Sequence, residues 1–313
     1  MKKIGKCHLC GKQEKLTFEH IPPQKANNNK RVHAIIGDTL MQHIGGVKKP
    51  WELSGLRYKN MQRGMGGYTL CESCNNLTGE WYARDYTNFA NIVGYLLNNK
   101  INVDEIQSFG VQIENMYPLR IIKQILCMFV STMHPEFLDA NEELRKFILD
   151  KNSTNLDKTK YRISMYTLKE QKIQWSGLNA MITGKNVRTV AFMDLYPLGF
   201  VLELEPKEEN FKYVQDITNL ATDYDYNFRG TVYMQLNILE RNTLYPCDFR
   251  SKKEIETQIE ESKLNMVKNI KEQMKKIDIE EELYNDFVEQ YLNDEISASE
   301  LFYNIDKIKR GES

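Results

Sequence analysis

The chain has 313 residues, 27% charged and 41% hydrophobic, which permits one large domain or two ordinary ones with a buried core. No run of about 18 apolar residues occurs to form a membrane-spanning helix. The basic start, MKKIGKCHLCG, has no apolar stretch of secretory-signal length behind it, so the sequence reads as cytoplasmic. The net charge of −1 hides an asymmetry: residues 1–85 carry 14 Lys+Arg against 7 Asp+Glu, and the remainder 28 against 36. A basic segment of this kind suits a polyanionic partner, or else an acidic domain of the same chain.

Residues 1–78 show little periodicity and are rich in Gly, Asn and Pro, as expected of a loop-dominated module. From Glu80 a helical pattern takes over, with Trp81, Tyr82, Tyr86, Phe89, Val93, Leu96 and Leu97 on one face. The stretch 118–133, PLRIIKQILCMFVSTM, opens on a proline and is apolar nearly all round, which predicts a buried helix. A surface helix follows over 140–150. The period then changes: 161–168, 172–183, 187–195 and 198–205 are rich in β-branched and aromatic residues between Gly, Pro and Asn breaks, and predict an antiparallel sheet. A short Asp-capped helix is expected over 216–225 and another strand over 231–239. From Ser251 the chain is helical and acidic, with 10 Lys+Arg against 16 Asp+Glu. There Ile255, Ile259, Met266, Ile270 and Ile277 recur at helical spacing, and Ser297 with Glu300 forms a capping box.

Four of the six cysteines fall into two CxxC pairs, Cys7/Cys10 and Cys71/Cys74. Without an export signal this pattern reads as Zn²⁺ ligation, because two CxxC loops complete the tetrahedral S₄ shell of a closed structural site. Sixty residues separate Cys10 from Cys71, so the module carries a long insert. Cys127 and Cys247 lie in apolar or turn contexts and read as ordinary buried thiols.

Between the pairs stands FEHIPPQ, where Glu19 and His20 are adjacent and Pro22 restricts Ile21 to extended backbone. Asn75 follows the fourth cysteine directly, and Gly79 comes four residues later. Taken singly, a neutral histidine is often a structural residue, and an asparagine beside a metal knuckle often caps a turn. The insert adds Lys25, Lys30, Arg31, Lys48, Lys49, Arg57, Lys59 and Arg63, whose natural partners are backbone phosphates. Trp51 or Tyr58 among them is suited either to stacking on a base or to anchoring a small core. His33 and His43 have no motif spacing and are not expected to bind metal.

In this order (CxxC, then EHIxP, then CxxCNxxxG) residues 6–80 or so resemble the HNH family of metal-dependent endonucleases in its zinc-braced form. The resemblance implies a ββα-metal unit in which the cysteines hold a structural zinc and a separate divalent ion is catalytic. It implies that His20 is the general base, and that Glu19 and Asn75 ligate that ion, Mg²⁺ or Mn²⁺. Such roles suit phosphodiester hydrolysis, which needs a proton acceptor near neutral pH and a cation on the phosphate oxygens. The family's middle asparagine has no counterpart here, its place falling near Gly66 and Gly67 in RGMGGYTLC.

The expected fold is therefore α+β: a small zinc-braced module within residues 1–100, then a larger α+β region over 101–313 that ends in acidic helices from about 251. The expected activity is endonucleolytic, on DNA before RNA, and stand-alone proteins of this form resemble effectors of bacterial anti-phage or mobile-element systems. Two competing expectations are a non-catalytic zinc module that only binds nucleic acid and an interaction scaffold that works through the acidic C-terminal helices or through self-association.

Overall fold

The computed structural model describes residues 3–44, 49–183 and 186–311. In chain order the elements are strands β1 (Ile4–Lys6), β2 (Gln13–His20) and β3 (Val32–Ala34), helix α1 (Gly37–Ile44), strands β4 (Lys59–Met61) and β5 (Gly66–Cys71), and helices α2 (Glu72–Thr78) and α3 (Arg84–Asn99). There follow β6 (Ser108–Met116), α4 (Pro118–Thr132), α5 (Glu142–Leu149) and strands β7 (Tyr161–Leu168), β8 (Ile173–Thr183), β9 (Asn186–Leu195), β10 (Leu198–Leu204), β11 (Gln215–Asp216) and β12 (Gly230–Leu239). Helices α6 (Lys252–Lys276), α7 (Asn285–Leu292) and α8 (Ala298–Lys309) complete the chain. This is the expected α+β class.

The contacts divide the chain into two compact units, and the division does not fall near residue 100. One unit contains residues 1–34, 60–240 and 244–248, the other 35–59, 241–243 and 249–313. Besides the pairing of β3 with β4, which falls in it except for Lys59, the first unit holds two sheets. In the smaller, β1, β2 and β5 lie side by side in that order, antiparallel. The larger runs β6-β12-β7-β10-β9-β8, with β11 against β7. All its pairings are antiparallel except β12 with β7, which is parallel at Ile238 and Leu239.

Helix α4 is the centre of this unit. Every residue from Leu119 to Ser131 except Arg120 is buried, because the sequence offers no polar face to present to water. It packs against α3, against β5 of the small sheet, and against β8 and β9 of the large one. A single apolar core consequently runs from Cys7, Leu9 and Leu16 through Tyr82, Tyr86 and Ile125 to Phe200 and Leu202. Buried Lys123 lies in it, its Nζ donating to the Asp150 carbonyl and stacked 4.3 Å from the Phe147 ring; burial pulls its pKa down to about 8.

The second unit has its own small core of Val267, Ile270, Met274, Tyr284, Val288, Tyr291, Leu301 and Ile305 from α6, α7 and α8. Ser251 and Ser297 cap α6 and α8 with reciprocal capping boxes to Glu254 and Glu300. Of the isoleucines that recur at helical spacing here, Ile259 and Ile277 are exposed. The helix expected over 216–225 is one 3₁₀ turn at Thr218–Ala221, where Asp216 caps the Thr218 N–H.

Candidate zinc centre and proton acceptor

The metal knuckles come from two different local structures. Cys7 and Cys10 sit in the turn that joins β1 to β2, where Gly11 at φ +75 closes the loop with its N–H on the Cys7 carbonyl. Cys71 ends β5 and is the residue before the first turn of α2, which carries Cys74. Antiparallel pairing of β2 with β5 sets Leu16 opposite Cys71 and so brings the two loops together.

The four sulfurs all lie within 4.8 Å of one another, and the Cys10 and Cys71 sulfurs are 3.9 Å apart. Four thiolates at about 2.3 Å from one zinc stand about 3.8 Å apart, so this donor set fits a tetrahedral ZnS₄ site. The Cys71 N–H donates to the Cys7 sulfur at 3.3 Å. A hydrogen bond from the Cys74 thiol draws Cys7 down to about 4, and the same bond, with burial, pushes Cys74 up. A thiolate is thus favoured at Cys7, and the proton held by Cys74 is the kind a divalent cation displaces. The knuckle is tied to the rest of its unit. His8 Nδ1 donates to the Val130 carbonyl at 3.2 Å, Arg145 Nε to the Leu9 carbonyl at 3.0 Å, and Lys6 pairs with Asp139.

Strand β2, strand β5 and helix α2 then form a strand–strand–helix unit beside the metal. Side chains alternate across a strand, so Glu19 and His20, neighbours in sequence, point to opposite sides of β2. Thr17 and Glu19 share one side. Asn75, in the first turn of α2, reaches that side and donates from Nδ2 to Thr17 Oγ1 at 3.0 Å. The carboxylate of Glu19 accepts from Thr69 Oγ1 at 3.1 Å and from the hydroxyl of Ser131, on α4. Glu19 is only 6% exposed, and burial, offset in part by these hydroxyls, raises its pKa to about 7.

An oxygen-rich set therefore gathers where the resemblance places a catalytic ion, but with its carboxylate already engaged. Mg²⁺ keeps several waters and near-octahedral geometry, which this closed arrangement does not accommodate as it stands. Among the described residues, the cysteine tetrad is the one cluster of metal-ligating Cys, His or acidic side chains.

His20 occupies the other side. Its Nε2 lies 3.1 Å from the Arg63 carbonyl. A carbonyl only accepts, so Nε2 carries the proton and Nδ1 of the neutral ring keeps its lone pair. The ring is further set by an edge contact with Phe18, centroids 5.0 Å apart.

Residues outside the motif hold this geometry. Asn28, 1% exposed, donates to the carbonyls of Pro22 and Met65 and accepts from the Met65 N–H, all at 2.7–2.8 Å. It closes the loop after His20 onto the strand that follows Arg63. Glycines make the approach possible. A Cβ on Gly66 would sit 2.0 Å from the Glu19 carbonyl, and one on Gly64, at φ +95, 2.1 Å from the Asn28 carbonyl. In sequence, Asn28 is one member of an NNN run with no signal to single it out. Asn28→Ala would take the side-chain partner from the Pro22 carbonyl and the Met65 N–H, while the Met65 carbonyl keeps the Ile21 N–H at 3.1 Å; each group left unpaired costs about 1–3 kcal/mol. The melting temperature is expected to fall by several degrees or more, and an unchanged melting curve would count against this role.

Of the expected phosphate-binding residues, Lys25, Lys30, Arg31 and Arg63 are exposed in the unit that carries His20. Lys49, Arg57 and Lys59 belong to the other unit, where Lys49 pairs with Glu256 at 2.6 Å. Lys48 lies outside the described residues. Trp51, in that same unit, is half-buried with Lys252 Nζ 5.9 Å from its ring, while Tyr58 is exposed. Compared with protein-family models, with curated proteins and with solved structures, the chain matches none.

Proposed function

We propose that the first unit is a zinc-braced, HNH-like endonuclease that hydrolyses phosphodiester bonds, DNA being the substrate, with His20 as general base. The observation that carries the reading is the His20 imidazole, pinned through Nε2 on the Arg63 carbonyl at 3.1 Å at the end of β2. Antiparallel β5 and the metal-anchored α2 stand behind it. A histidine held in one tautomer has Nδ1 available to take the proton of an attacking water. Arg63 brings an exposed guanidinium to the same loop for the phosphate.

The zinc in this reading braces the strands and takes no part in the chemistry. The resemblance gives Glu19 and Asn75 to a second cation, Mg²⁺ or Mn²⁺. The Ser131 and Thr69 hydroxyls would have to leave Glu19 first, and no step of the proposal runs through that ion. An effector role in defence against foreign nucleic acid is part of the same proposal and rests on the resemblance alone.

The test is incubation of the full chain with supercoiled plasmid and with circular single-stranded DNA, with and without Mg²⁺ or Mn²⁺. Nicked or linear product is expected. A zinc-loaded, folded protein that cuts neither substrate under any of these conditions would leave the non-catalytic binding module and the interaction scaffold. Binding should also weaken with salt, with a log–log slope of about −0.7 to −0.9 per phosphate contact. With Lys25, Lys30, Arg31 and Arg63 all engaged, the slope would be about −3 to −4; a salt-independent affinity would remove these four from the interface.

A further inference from the structure

The side of β2 that carries His20 also carries a group of rings with a cation over one of them. Phe18 is two residues before His20, on the same face, and its ring meets the imidazole edge-on at 5.0 Å. Directly across the strand pair, Tyr68 of β5 is the register partner of Phe18, and their rings meet edge-on at 5.4 Å. Lys3 Nζ stands 5.5 Å from the centre of the Tyr68 ring. Lys3, Tyr68, Phe18 and His20 thus form a connected set on one face of the small sheet, with Lys3 reaching over from the β1 side of β2 and Tyr68 standing on the β5 side. Phe18 is half-buried, and Tyr68 is 44% exposed.

A tyrosine ring 44% exposed on a sheet face, with a lysine ammonium over it, is a surface on which a flat heterocycle stacks in the lysine's place. Cations flank it: exposed Lys3, whose ammonium reaches over Tyr68 from the β1 side of the sheet, and exposed Arg63 in the loop at His20. We infer that this group is a stacking platform for unpaired bases, and that the substrate class is single-stranded or locally unpaired nucleic acid, with Tyr68 the residue that selects it. The inference rests on the nuclease reading for the place of the scissile phosphate, beside His20.

The reason is steric and electronic. In a duplex the base faces are covered by their neighbours, and the outside offers phosphates and groove edges. An unpaired strand can turn a base onto Tyr68 and Phe18 while its phosphates track toward Lys3 and Arg63. Stacking of this kind tolerates any base, so the platform predicts a preference for strandedness and not for sequence.

The experiment measures anisotropy of a fluorescein-labelled 12-nucleotide DNA, single-stranded or annealed to its complement, with the zinc-loaded full chain and no added Mg²⁺ or Mn²⁺. Wild type is expected to bind the single strand at least about 10-fold tighter than the duplex. Tyr68→Leu, which keeps apolar bulk but removes the flat ring, should weaken single-strand binding about 5- to 100-fold and leave duplex binding unchanged. Tyr68→Trp should restore it. Zinc content and melting temperature of both variants, measured on the same preparations, separate loss of the platform from loss of the fold. Equal affinity for both DNA forms, or a folded Tyr68→Leu that binds the single strand like wild type, overturns the inference. Cleavage is read separately. Single-strand binding that depends on Tyr68 in a protein that cuts nothing sinks the nuclease reading and keeps the platform; His20-dependent cutting that ignores Tyr68→Leu does the reverse.

Discussion

Replacing His20 by alanine is expected to lower DNA cleavage about 10²–10⁴-fold, the usual contribution of a positioned general base. Zinc content, melting temperature and the salt dependence of DNA binding should stay close to wild type. The imidazole makes one hydrogen bond, to the Arg63 carbonyl, and one ring contact, to Phe18. The Arg63 carbonyl belongs to an exposed residue and can turn to water, so the net stability lost is about 1 kcal/mol. A structural histidine would behave in the opposite way, with stability falling first and activity following it. His20→Ala that melts well below wild type and loses zinc, with cleavage falling only in proportion, would remove the base from the mechanism. Glu19→Gln is the informative companion. It keeps the size of a side chain enclosed by Thr69 and Ser131 and so asks whether the charge itself matters to cleavage.

Cys71→Ser should abolish zinc binding and cost the first unit its cooperative fold. Structural zinc on thiolates contributes about 10–16 kcal/mol in small peptides at neutral pH, comparable to the whole stability of an ordinary domain. Cys71 holds three positions together. It donates its N–H to the Cys7 sulfur, faces Leu16 of β2, and starts α2. Read from the sequence, this loss would be confined to residues 1–80. The continuous core from Cys7 to Phe200 argues for a wider effect, with the large sheet losing one wall of its packing. Calorimetry and elemental analysis together test it. A variant that retains about one zinc per chain and melts like wild type would show that the tetrad holds no metal of consequence.

Much of the fold is legible in the sequence because its patterns are strong and local. The apolar run of α4 and the β-branched and aromatic runs of β7, β9 and β10 announce themselves, and the Ser297–Glu300 cap is readable from two residues. Strand β6 was missed, since only Phe109, Val111 and Ile113 alternate in it, and it lies at the edge of the sheet, polar on one side. In the first half of α6, Ile259 has helical spacing from Ile255, yet the buried residues beyond Ile255 are Val267, Ile270 and Met274. Spacing reports which residues share a face and not whether anything covers it.

The site was half legible for a related reason. CxxC spacing is a local signal, and the cysteines do converge. Glu19 and His20 look like a pair in sequence, but strand alternation parts them. What holds Glu19 is Ser131, 112 residues away, and what orients His20 is a backbone carbonyl, to which the identity of Arg63 is no guide. Side-chain chemistry can be read from a sequence, whereas backbone acceptors and distant hydroxyls are supplied by the fold.

The helix that leaves the last zinc ligand does not stop at the module's edge. From Glu72 it passes through a π-helical turn at Gly79–Ala83 straight into α3 and ends at Asn99, with Tyr82, Tyr86, Phe89 and Val93 sunk in the common core. A cassette that can be moved between proteins needs a seam where few apolar contacts cross. Here any cut near residue 80 or 100 would strip one rod of its packing, either baring four large side chains or leaving a hole where they had been. The chain's four-cysteine portion and its large sheet are accordingly expected to have been inherited as one piece, and anyone wishing to borrow that portion would have to redesign the helix before transplanting it.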